Sequence, residues 1–358
     1  MSKTYNIIGI MSGTSLDGVD LLWAEFRVNN EDIKYSIKKT RTVHYDKCWL
    51  NKLQLAPSLN PMDFLNLHNE YGRYLGNLVN NFIGKDEKQK IDFIASHGHT
   101  IFHQPEKKLT FQLGNGNSIA AQTCISTIWD FRAMDVALGG QGAPLVPIGD
   151  HLLFGDYDYC LNLGGFSNIS YANENNRRIA FDICPVNIAL NYFAQQINLP
   201  YDKNGRIAKT GRVNNELLNK LNQLPFYQWQ PPKSLGREWF EKEFLPVVEN
   251  LNLPLEDILA TITEHIAQQI GKLLSKKDTK TLVTGGGAFN AYLIEKIKNY
   301  SGSKIIIPEK EIIEYKEALI FALLGVLFIE KQNNCLQSVT GAGRDNIGGC
   351  LSYGNIEK

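Results

Sequence analysis

The chain has 358 residues, 43% of them hydrophobic, with 37 Lys and Arg balanced by 37 Asp and Glu. This length suits two domains and can bury a large core without disulfides or structural metals. The neutral balance gives no electrostatic attraction to nucleic acid, and no apolar run approaches the ~20 residues that span a bilayer. The six cysteines form no Cys-x-x-Cys pair, and the N-terminus lacks a secretion signal. We therefore predict a cytoplasmic α/β protein.

Apolar periodicity predicts strands and helices through most of the chain. Residues 61–83 have apolar side chains at spacings of three and four, with Asn60 as a suitable N-cap and Pro61 in the first turn. The same periodicity recurs over residues 254–275. Further helices are predicted at 185–197, 236–246, 288–298 and 315–330. Strands are predicted at 5–10, 19–27, 33–43, 91–96, 109–113, 125–128, 159–163, 168–172, 177–182, 280–284 and 304–307.

The most informative stretch is the turn after the first strand. Residues 12–18 read Ser-Gly-Thr-Ser-Leu-Asp-Gly and lie between two apolar strands. Glycines permit close approach of the backbone to a ligand, and successive N–H groups in such a turn can bind an anion. The turn is no P-loop, because it lacks a final Gly-Lys-Ser/Thr and no helix pattern follows. A phosphate-binding hairpin and a simple β-hairpin turn remain equally weighted interpretations.

Two further glycine turns follow predicted strands. Gly164-Gly165 comes after strand 159–163 and repeats the opening order of strand, turn and strand, which predicts a duplicated α/β architecture with a cleft. Residues 285–287 are three glycines that precede a helix, whose N-terminus offers free N–H groups. Open α/β sheets bind ligands at the ends of their strands, so these turns predict nucleotide contact. The glycine-rich residues 139–144 are interpreted as a loop that lines the cleft.

Two stretches carry candidates for acid–base chemistry. Asp182 ends a predicted strand, where a carboxylate is equally suited to act as a general base or as the N-cap of the next helix. His97 and His99 follow strand 91–96. Their spacing favours polar contact with a ligand over metal ligation, because no third metal ligand lies at a fixed distance from them.

Arg132 lies between Asp130 and Asp135 in the sequence. Such a cluster is consistent with a plain ion-pair network, or with a guanidinium that reads sugar hydroxyls or a substrate carboxylate. Glu317 opens an otherwise apolar helix, where it is either a favourable first-turn acid or a ligand-binding group.

Motifs spread over residues 6–330 resemble those of the anhydro-N-acetylmuramic acid kinase family. The two longest are Met-Ser-Gly-Thr-Ser-Leu-Asp-Gly-Val-Asp at 11–20 and Gly-Gly-Gln-Gly-Ala-Pro-Leu-Val-Pro at 139–147. Shorter motifs are Asn-Leu-Gly-Gly-Phe-Ser-Asn at 162–168, Tyr-Asp-x-x-Gly at 201–205, Pro-Pro-Lys-Ser-x-Gly-Arg-Glu at 231–238, Gly-Gly-Gly-Ala-Phe-Asn at 285–290 and Glu-Ala at 317–318.

The resemblance implies a fold and a setting. The fold would be the two-lobed actin-like ATPase fold, built from duplicated ribonuclease-H-like domains with a central cleft. The lobes would be residues 1–130 and 131–358, and whether residues 337–358 return to the first lobe stays open. The enzyme would act in the cytoplasm in cell-wall recycling, on a small sugar, with ATP and Mg²⁺.

The resemblance also implies residue roles. Asp182 would deprotonate the water that attacks the anomeric carbon of 1,6-anhydro-N-acetylmuramic acid, and the freed O6 would take the γ-phosphoryl group. The substrate-binding residues would be His97, Thr100, Arg132, Asp135 and Glu317. The ATP-binding residues would be Gly13, Thr14, Ser15, Leu16, Asp17, Gly18, Val19, Asp20, Gly164, Gly165, Asn168, Gly285, Gly286, Gly287 and Asn290. The metal ligands stay unassigned.

Some positions differ from the family's usual pattern. Ile183, Cys184 and Val186 replace a Thr and two glycines, His99 replaces a Gln, and Asn115 replaces an Asp. Because these stretches are predicted beside the sugar, a kinase for a different amino sugar is an alternative. A catalytically silent sugar- or nucleotide-binding regulator is another, although no basic patch or helix-turn-helix supports it. The oligomeric state, including a homodimer, is left open.

Overall fold

The chain forms two compact units, one of Met1–Leu153 with Tyr315–Lys358 and one of Phe154–Glu314. These bounds differ from the predicted ranges 1–130 and 131–358. The reason is that residues 131–153 and 315–355 pack with the first unit, as shown below. The computed structural model describes residues 2–13, 16–29, 32–84 and 86–355.

The strands and helices alternate along the chain. Up to residue 153 they are β1 (Lys3–Ser12), β2 (Val19–Asn29), β3 (Asp32–Val43), α1 (Lys47–Leu55), α2 (Pro61–Ile83), β4 (Phe93–Gln104), β5 (Leu109–Leu113), α3 (Gly116–Thr123), β6 (Thr127–Trp129), α4 (Ala133–Ala137) and α5 (Val146–Leu153). The second unit contains β7 (Tyr159–Leu163), β8 (Phe166–Ala172), β9 (Arg178–Pro185), α6 (Asn187–Gln195), α7 (Arg206–Thr210), α8 (Asn215–Asn222), α9 (Arg237–Trp239), α10 (Leu245–Glu249), α11 (Leu255–Leu273), β10 (Lys280–Thr284), α12 (Ala291–Tyr300) and β11 (Lys304–Ile306). The remaining elements are α13 (Lys310–Ile329), α14 (Gln337–Thr340) and β12 (Cys350–Ser352).

The two sheets share one topology. In the first, β1, β2 and β3 are antiparallel neighbours, β4 runs parallel to β1, and β6 runs parallel to β4. In the second, β7, β8 and β9 are antiparallel, β10 runs parallel to β7, and β11 runs parallel to β10. The first sheet adds β5 beside β4 and β12 beside β6. The predicted α/β class and its duplication are confirmed by this repeated strand order.

Helices cover both faces of the first sheet. The apolar side chains of α2 pack on one face against Ile8 and Ile10 of β1, as the spacing in that helix predicts. On the other face α13 lies so close that a Cβ on Gly9 would come within 2.1 Å of the Ala318 carbonyl oxygen. A Cβ on Gly149 of α5 would likewise meet Ile320. The C-terminal residues therefore belong to the first unit, and β12 pairs with β6 there.

The core of the second unit lies between its sheet and the helices α6, α8 and α11. The predicted helix at 254–275 is confirmed as α11, and Asn60 caps α2 by accepting a hydrogen bond from the Asp63 N–H (3.0 Å). No helix in the described part of the chain is long and apolar enough to cross a membrane.

Candidate active site

A row of polar residues crosses the second sheet where the strands end. Thr284 of β10 pairs with Asn162 of β7, Asn162 pairs with Asn168 of β8, and Asn168 pairs with Asp182 of β9. Residues that pair across strands point to the same face of a sheet. Their sequence neighbours, such as Leu163, point to the other face and join the apolar core. The sheet thus presents polar groups to one face, and Asp182 is the ionisable group among them.

The second and third glycine turns meet beside this row. A Cβ on Gly285, whose φ is +80°, would lie 2.6 Å from Asn162 Oδ1, and a Cβ on Gly287 would lie 2.7 Å from Leu163 Cβ. Gly165 differs from both, since its Cβ would meet nothing within 4 Å. The absence of a side chain in the third turn is therefore required for packing, whereas at Gly165 the backbone faces open space.

Backbone hydrogen bonds hold the second glycine turn. The Asn187 N–H donates to the Gly164 carbonyl (3.2 Å), and the Ile188 N–H donates to the Gly165 carbonyl (3.1 Å). These amides belong to the first turn of α6, which otherwise lacks intrahelical acceptors. The Asn187 side-chain amide also donates to the Leu163 carbonyl (2.9 Å). The turn is thus fixed to both β7 and α6.

The surroundings of Asp182 shift the pKa of its carboxyl group. Its side chain is half-buried, and burial raises the pKa of the carboxyl to about 6, although the hydrogen bond from the Leu235 N–H acts to lower it. That N–H donates to Asp182 Oδ2 (2.8 Å), while the Asp182 N–H donates to the Lys233 carbonyl (3.0 Å). The Pro-Pro-Lys-Ser-Leu-Gly stretch thus holds the carboxylate in place. Asp182 does not cap α6, whose N-cap residue is Val186.

The residues that depart from the family pattern after Asp182 are buried. Ile183, Cys184 and Val186 all lie in the apolar core of the second unit. The Cys184 Sγ lies 3.3 Å from Ser167 Oγ, and burial raises the pKa of the thiol to about 12. These side chains fill core volume and leave the polar face of the sheet unchanged.

A cavity of about 410 Å³ lies next to the third glycine turn. Two of its residues also have structural roles: Asp202 accepts hydrogen bonds from the Ile207 and Ala208 N–H groups (both 3.0 Å), and Asn290 caps α12 by accepting from the Leu293 N–H (3.1 Å). The cavity is lined by Asn187, Leu190, Asn191, Tyr201, Asp202, Lys203, Asn204, Gly286, Phe289, Asn290, Lys310 and Glu314.

The opening turn joins β1 to β2 in the first unit. Leu16 has a φ of +60°, and its N–H donates to the Gly13 carbonyl (3.4 Å). Asp17 is exposed, whereas the side chain of Val19 is fully buried in the core. A Cβ on Gly18 would lie 2.5 Å from the Val43 carbonyl oxygen, so this glycine is needed for packing. Of the other predicted residues, Asp20 accepts a hydrogen bond from Thr42 Oγ1 (2.6 Å), and Thr14 and Ser15 lie outside the described residues.

Buried side chains form hydrogen bonds at the base of this turn, where β1 ends at Ser12. Ser12 Oγ lies 2.8 Å from His99 Nδ1 and 2.7 Å from the Tyr45 hydroxyl, which is hydrogen-bonded to the Tyr71 hydroxyl. Burial lowers the pKa of His99 to about 4, so the imidazole is neutral near pH 7. His99 therefore serves the turn as a neutral hydrogen-bonding partner.

Arg132 is held by two neutral acceptors. Its Nε–H donates to His97 Nε2 (3.0 Å) and its Nη1 donates to the Gly142 carbonyl (2.6 Å). His97 Nδ1–H donates to the Gly98 carbonyl (2.9 Å), which leaves Nε2 free to accept. Burial, and then the charge of Arg132, lower the pKa of His97 well below its usual value. Within the described chain no carboxylate forms an ion pair with Arg132.

The other residues predicted to bind the sugar differ in their burial and in their hydrogen-bond partners. Thr100 of β4 is half-buried and accepts a hydrogen bond from Gln112 Nε2 (3.4 Å). Asp135 is fully buried. Glu317 retains solvent-accessible surface, but the protein around it excludes enough water to raise its pKa, and the charges of Arg132 and Lys316 act in the opposite direction.

The two histidines have different side-chain partners: His99 hydrogen-bonds to Ser12 Oγ, and His97 accepts from Arg132. No group of three or more His, Cys, Asp and Glu side chains in the described ranges is placed to hold a metal ion.

Sequence reasoning missed several residues of the polar row and the cavity. Asn162 lies inside a recognised motif but was not predicted to bind a ligand, and the same holds for Tyr201. Leu235 acts through its backbone N–H, which no side-chain pattern reveals. The available signal was position: Thr284 lies directly before the third glycine turn, and Asn162 lies two residues before Gly164.

The comparison with known sequences defines the class of protein, and the chain is a sugar kinase. The family described as anhydro-N-acetylmuramic acid kinase matches residues 5–354. The chain belongs to the anhydro-N-acetylmuramic acid kinase family, which confirms the resemblance predicted from the motifs.

Named relatives match along almost their whole length. The anhydro-N-acetylmuramic acid kinase of Sulfurimonas denitrificans is 35% identical over 98% of this chain and 100% of its own. That of Shewanella oneidensis is 37% identical over 97% and 98%. The solved structure of component A of the Acidaminococcus fermentans (R)-2-hydroxyglutaryl-CoA dehydratase is 12% identical, covers 89% of this chain and 96% of that chain, and has a TM-score of 0.47. Family membership rests on the sequence relatives.

Proposed function

We propose that this chain opens 1,6-anhydro-N-acetylmuramic acid with water and phosphorylates the freed O6 with ATP, giving N-acetylmuramic acid 6-phosphate for cell-wall recycling in the cytoplasm. Family membership names the sugar. Asp182 is the observation that carries the chemistry, because its half-buried carboxyl has a pKa of about 6 and ends the polar row. The actin-like ATPase fold implied by the resemblance is supported by the repeated topology of the two sheets.

The nucleotide is proposed to bind at the glycine turns of the second unit. Gly165 offers open backbone, and Gly285 to Gly287 lie beside a cavity within the ~300–1,000 Å³ range of ligand pockets. Thr284 Oγ1 is buried with no hydrogen-bond partner among the described residues, which indicates a group to be satisfied by a ligand or water. The base and ribose would occupy the cavity, with Tyr201 and Phe289 as aromatic walls.

Gly13 to Asp20 are proposed to contact the phosphates in the first unit, through backbone N–H groups and hydroxyls. Mg²⁺ would accompany ATP and neutralise phosphate charge, held mainly by the phosphates themselves. No described side chain is assigned to it.

Asp182 would act as the base for the entering water. As the water oxygen bonds to the anomeric carbon, its proton passes to the carboxylate and the bond from that carbon to O6 breaks. O6 then takes the γ-phosphoryl group, and ADP leaves. The Leu235 N–H fixes one carboxylate oxygen, so the other is directed to the water. The raised pKa keeps the base strong enough to take a proton near neutral pH.

Arg132 is proposed to bind the carboxylate of the sugar's lactyl group. A guanidinium held by neutral acceptors, with no carboxylate partner among the described residues, is suited to an anionic ligand. His97 would orient Arg132, and Thr100 and Glu317 would contact sugar hydroxyls. Ile183, Cys184 and Val186 are buried in the apolar core, so these three substitutions give no support to a different amino sugar.

The test is an incubation with ATP, Mg²⁺ and the anhydro sugar, with the product detected by mass. We expect N-acetylmuramic acid 6-phosphate, and its absence would overturn the proposal. Competition with N-acetylglucosamine and N-acetylmuramic acid separates the named sugar from other amino sugars. Sugar binding without ATP consumption would favour the regulator instead.

A further inference from the structure

Asp135 connects two distant parts of the chain. Its fully buried carboxylate accepts hydrogen bonds from the Gly142 N–H (2.8 Å), from Thr340 Oγ1 (2.8 Å) and from Asn346 Nδ2 (2.9 Å). A buried carboxylate is tolerated in a folded protein only when such donors satisfy it. The loss of one donor therefore destabilises the folded state. The carboxylate is therefore fully engaged with protein groups.

The loop that contains Gly142 is fastened to the same C-terminal segment. The Gln141 N–H donates to the Thr340 carbonyl (2.8 Å), and the Gly343 N–H donates to the Leu138 carbonyl (3.1 Å). A Cβ on Gly140 would lie 2.2 Å from Asp135 Oδ2, so the loop backbone lies directly against the carboxylate. Residues 138–142 and 340–346 thus form one hydrogen-bonded cluster around Asp135.

Gly142 links this cluster to Arg132. Its N–H donates to Asp135, while its carbonyl accepts from Arg132 Nη1 (2.6 Å). Its φ of +65° favours glycine, and a Cβ would meet Val136 at 2.6 Å. The second acceptor of Arg132 is His97, which belongs to β4. One of the two groups that orient the guanidinium is therefore placed by Asp135.

We infer that Asp135, Thr340 and Asn346 are positioning residues for Arg132, and that Asp135 does not itself contact the sugar. This inference replaces the predicted sugar contact of Asp135 and rests on the proposed role of Arg132. The C-terminal segment 340–346 becomes part of the framework that sets sugar affinity, although it is far from Arg132 in the sequence.

Thr340→Val tests the inference because it removes the hydroxyl while keeping the side-chain shape, and Thr340→Ser restores the donor. Thr340→Val should raise KM for the anhydro sugar about tenfold, as expected for ~1.4 kcal/mol, and should change kcat and KM for ATP less than about twofold. Thr340→Ser should stay near the parent. Ser352→Ala is the matched control, since Ser352 lies in β12, also near the C-terminus, but is hydrogen-bonded to Trp129 and Asn117 and not to Asp135. An unchanged KM for the sugar in Thr340→Val would overturn the inference.

A double-mutant cycle with Arg132→Gln separates positioning from direct contact. If Thr340 acts through Arg132, Thr340→Val should have little further effect on KM in the Arg132→Gln background. Full additivity, or a Thr340→Val effect when Arg132→Gln has none, would overturn the inference.

The NMR resonance of the Arg132 Nε–H, assigned with Arg132→Lys, gives a readout without sugar or ATP. We expect it to shift in Thr340→Val and to stay in place in Ser352→Ala. An unshifted resonance would overturn the inference even if the kinase assay succeeds. A shifted resonance together with a failed kinase assay would overturn the proposed function alone.

Discussion

The two hairpins that open the two sheets occupy the same place in the same topology but are stabilised differently. The turn between β1 and β2 is supported by side chains, through Ser12, His99 and Tyr45. The turn between β7 and β8 is supported by its own backbone carbonyls, which accept from the amides of Asn187 and Ile188. The first turn should therefore depend on the identity of these buried side chains, in addition to Gly18. The second should depend on the bare backbone of Gly285 and Gly287, which packs beside it.

The largest expected effect concerns the carboxylate beside the second turn. Asp182→Asn should lower turnover about 10²–10⁴-fold, because a general base contributes that much. ATP binding should remain, since an Asn oxygen can still accept from the Leu235 N–H. In the parent, turnover should fall as the pH drops below about 6, where the base becomes protonated. Turnover and nucleotide binding measured in parallel check this, and unchanged turnover would remove Asp182 from the base role.

Gly285→Ala tests whether the stability of the second unit requires a residue without a side chain at this position. The new Cβ would meet Asn162 and Leu163 at under 3 Å at a φ of +80°, so we expect a loss of about 2–5 kcal/mol in the free energy of unfolding. Gly165→Ala is the control for stability, since its Cβ meets nothing within 4 Å. Denaturant titration of both variants compares them. Equal stabilities would show that the tight packing at Gly285 is not required.

The pH dependence of stability tests the side-chain support of the first turn. The pKa of His99 falls from 6.5 to about 4 on folding, so its contribution is complete above pH 6.5 and is lost as the pH falls toward 4. Between pH 7 and pH 5 the parent should lose about 2 kcal/mol more than His99→Gln, which cannot titrate. Denaturant titrations at the two pH values measure this difference. Parallel losses in both proteins would contradict a neutral buried imidazole.

The smallest expected effect is the loss of the hydrogen bond between His99 and Ser12 at neutral pH. His99→Leu removes the hydrogen bond to Ser12 and should cost about 1–2 kcal/mol of stability, whereas His99→Gln should retain most of it because the amide can bond to Ser12. Thermal unfolding and KM for ATP should both follow this order. Indistinguishable Leu and Gln variants would mean that side chains do not support the first turn.

Local patterns predicted the elements whose signals lie within one segment. Helix α2 has the predicted bounds because its apolar spacing and the Asn60 cap act within that stretch. Other elements were missed or shifted. Helix α5 (Val146–Leu153) was not predicted, and α13 begins at Lys310 instead of 315. The three-residue β12 has no pattern of its own and forms because β6 is available to pair with it.

The residues of the candidate site also separate into those that local sequence patterns predicted and those that they did not. The glycine turns were predicted from the sequence because each follows a strand. Asp182 was identified as a candidate, but its predicted position at a strand end was wrong, since β9 continues past it to Pro185. The neighbours of Ile183 and Cys184 could not be predicted. A register shift between β8 and β9 places these consecutive residues in the same core, and strand alternation does not predict such a shift.

By itself the sequence determined the α/β class, the duplicated order of strand and turn, the family and the choice of Asp182 as the candidate carboxylate. These properties rest on periodicity and on motifs within short segments. Only the tertiary structure decided which buried polar groups are partners: Ser12 with His99, Asp182 with the Leu235 N–H, and Asp135 with Thr340. Such pairs join residues far apart in the chain, and they form only where packing of the apolar core brings their segments together.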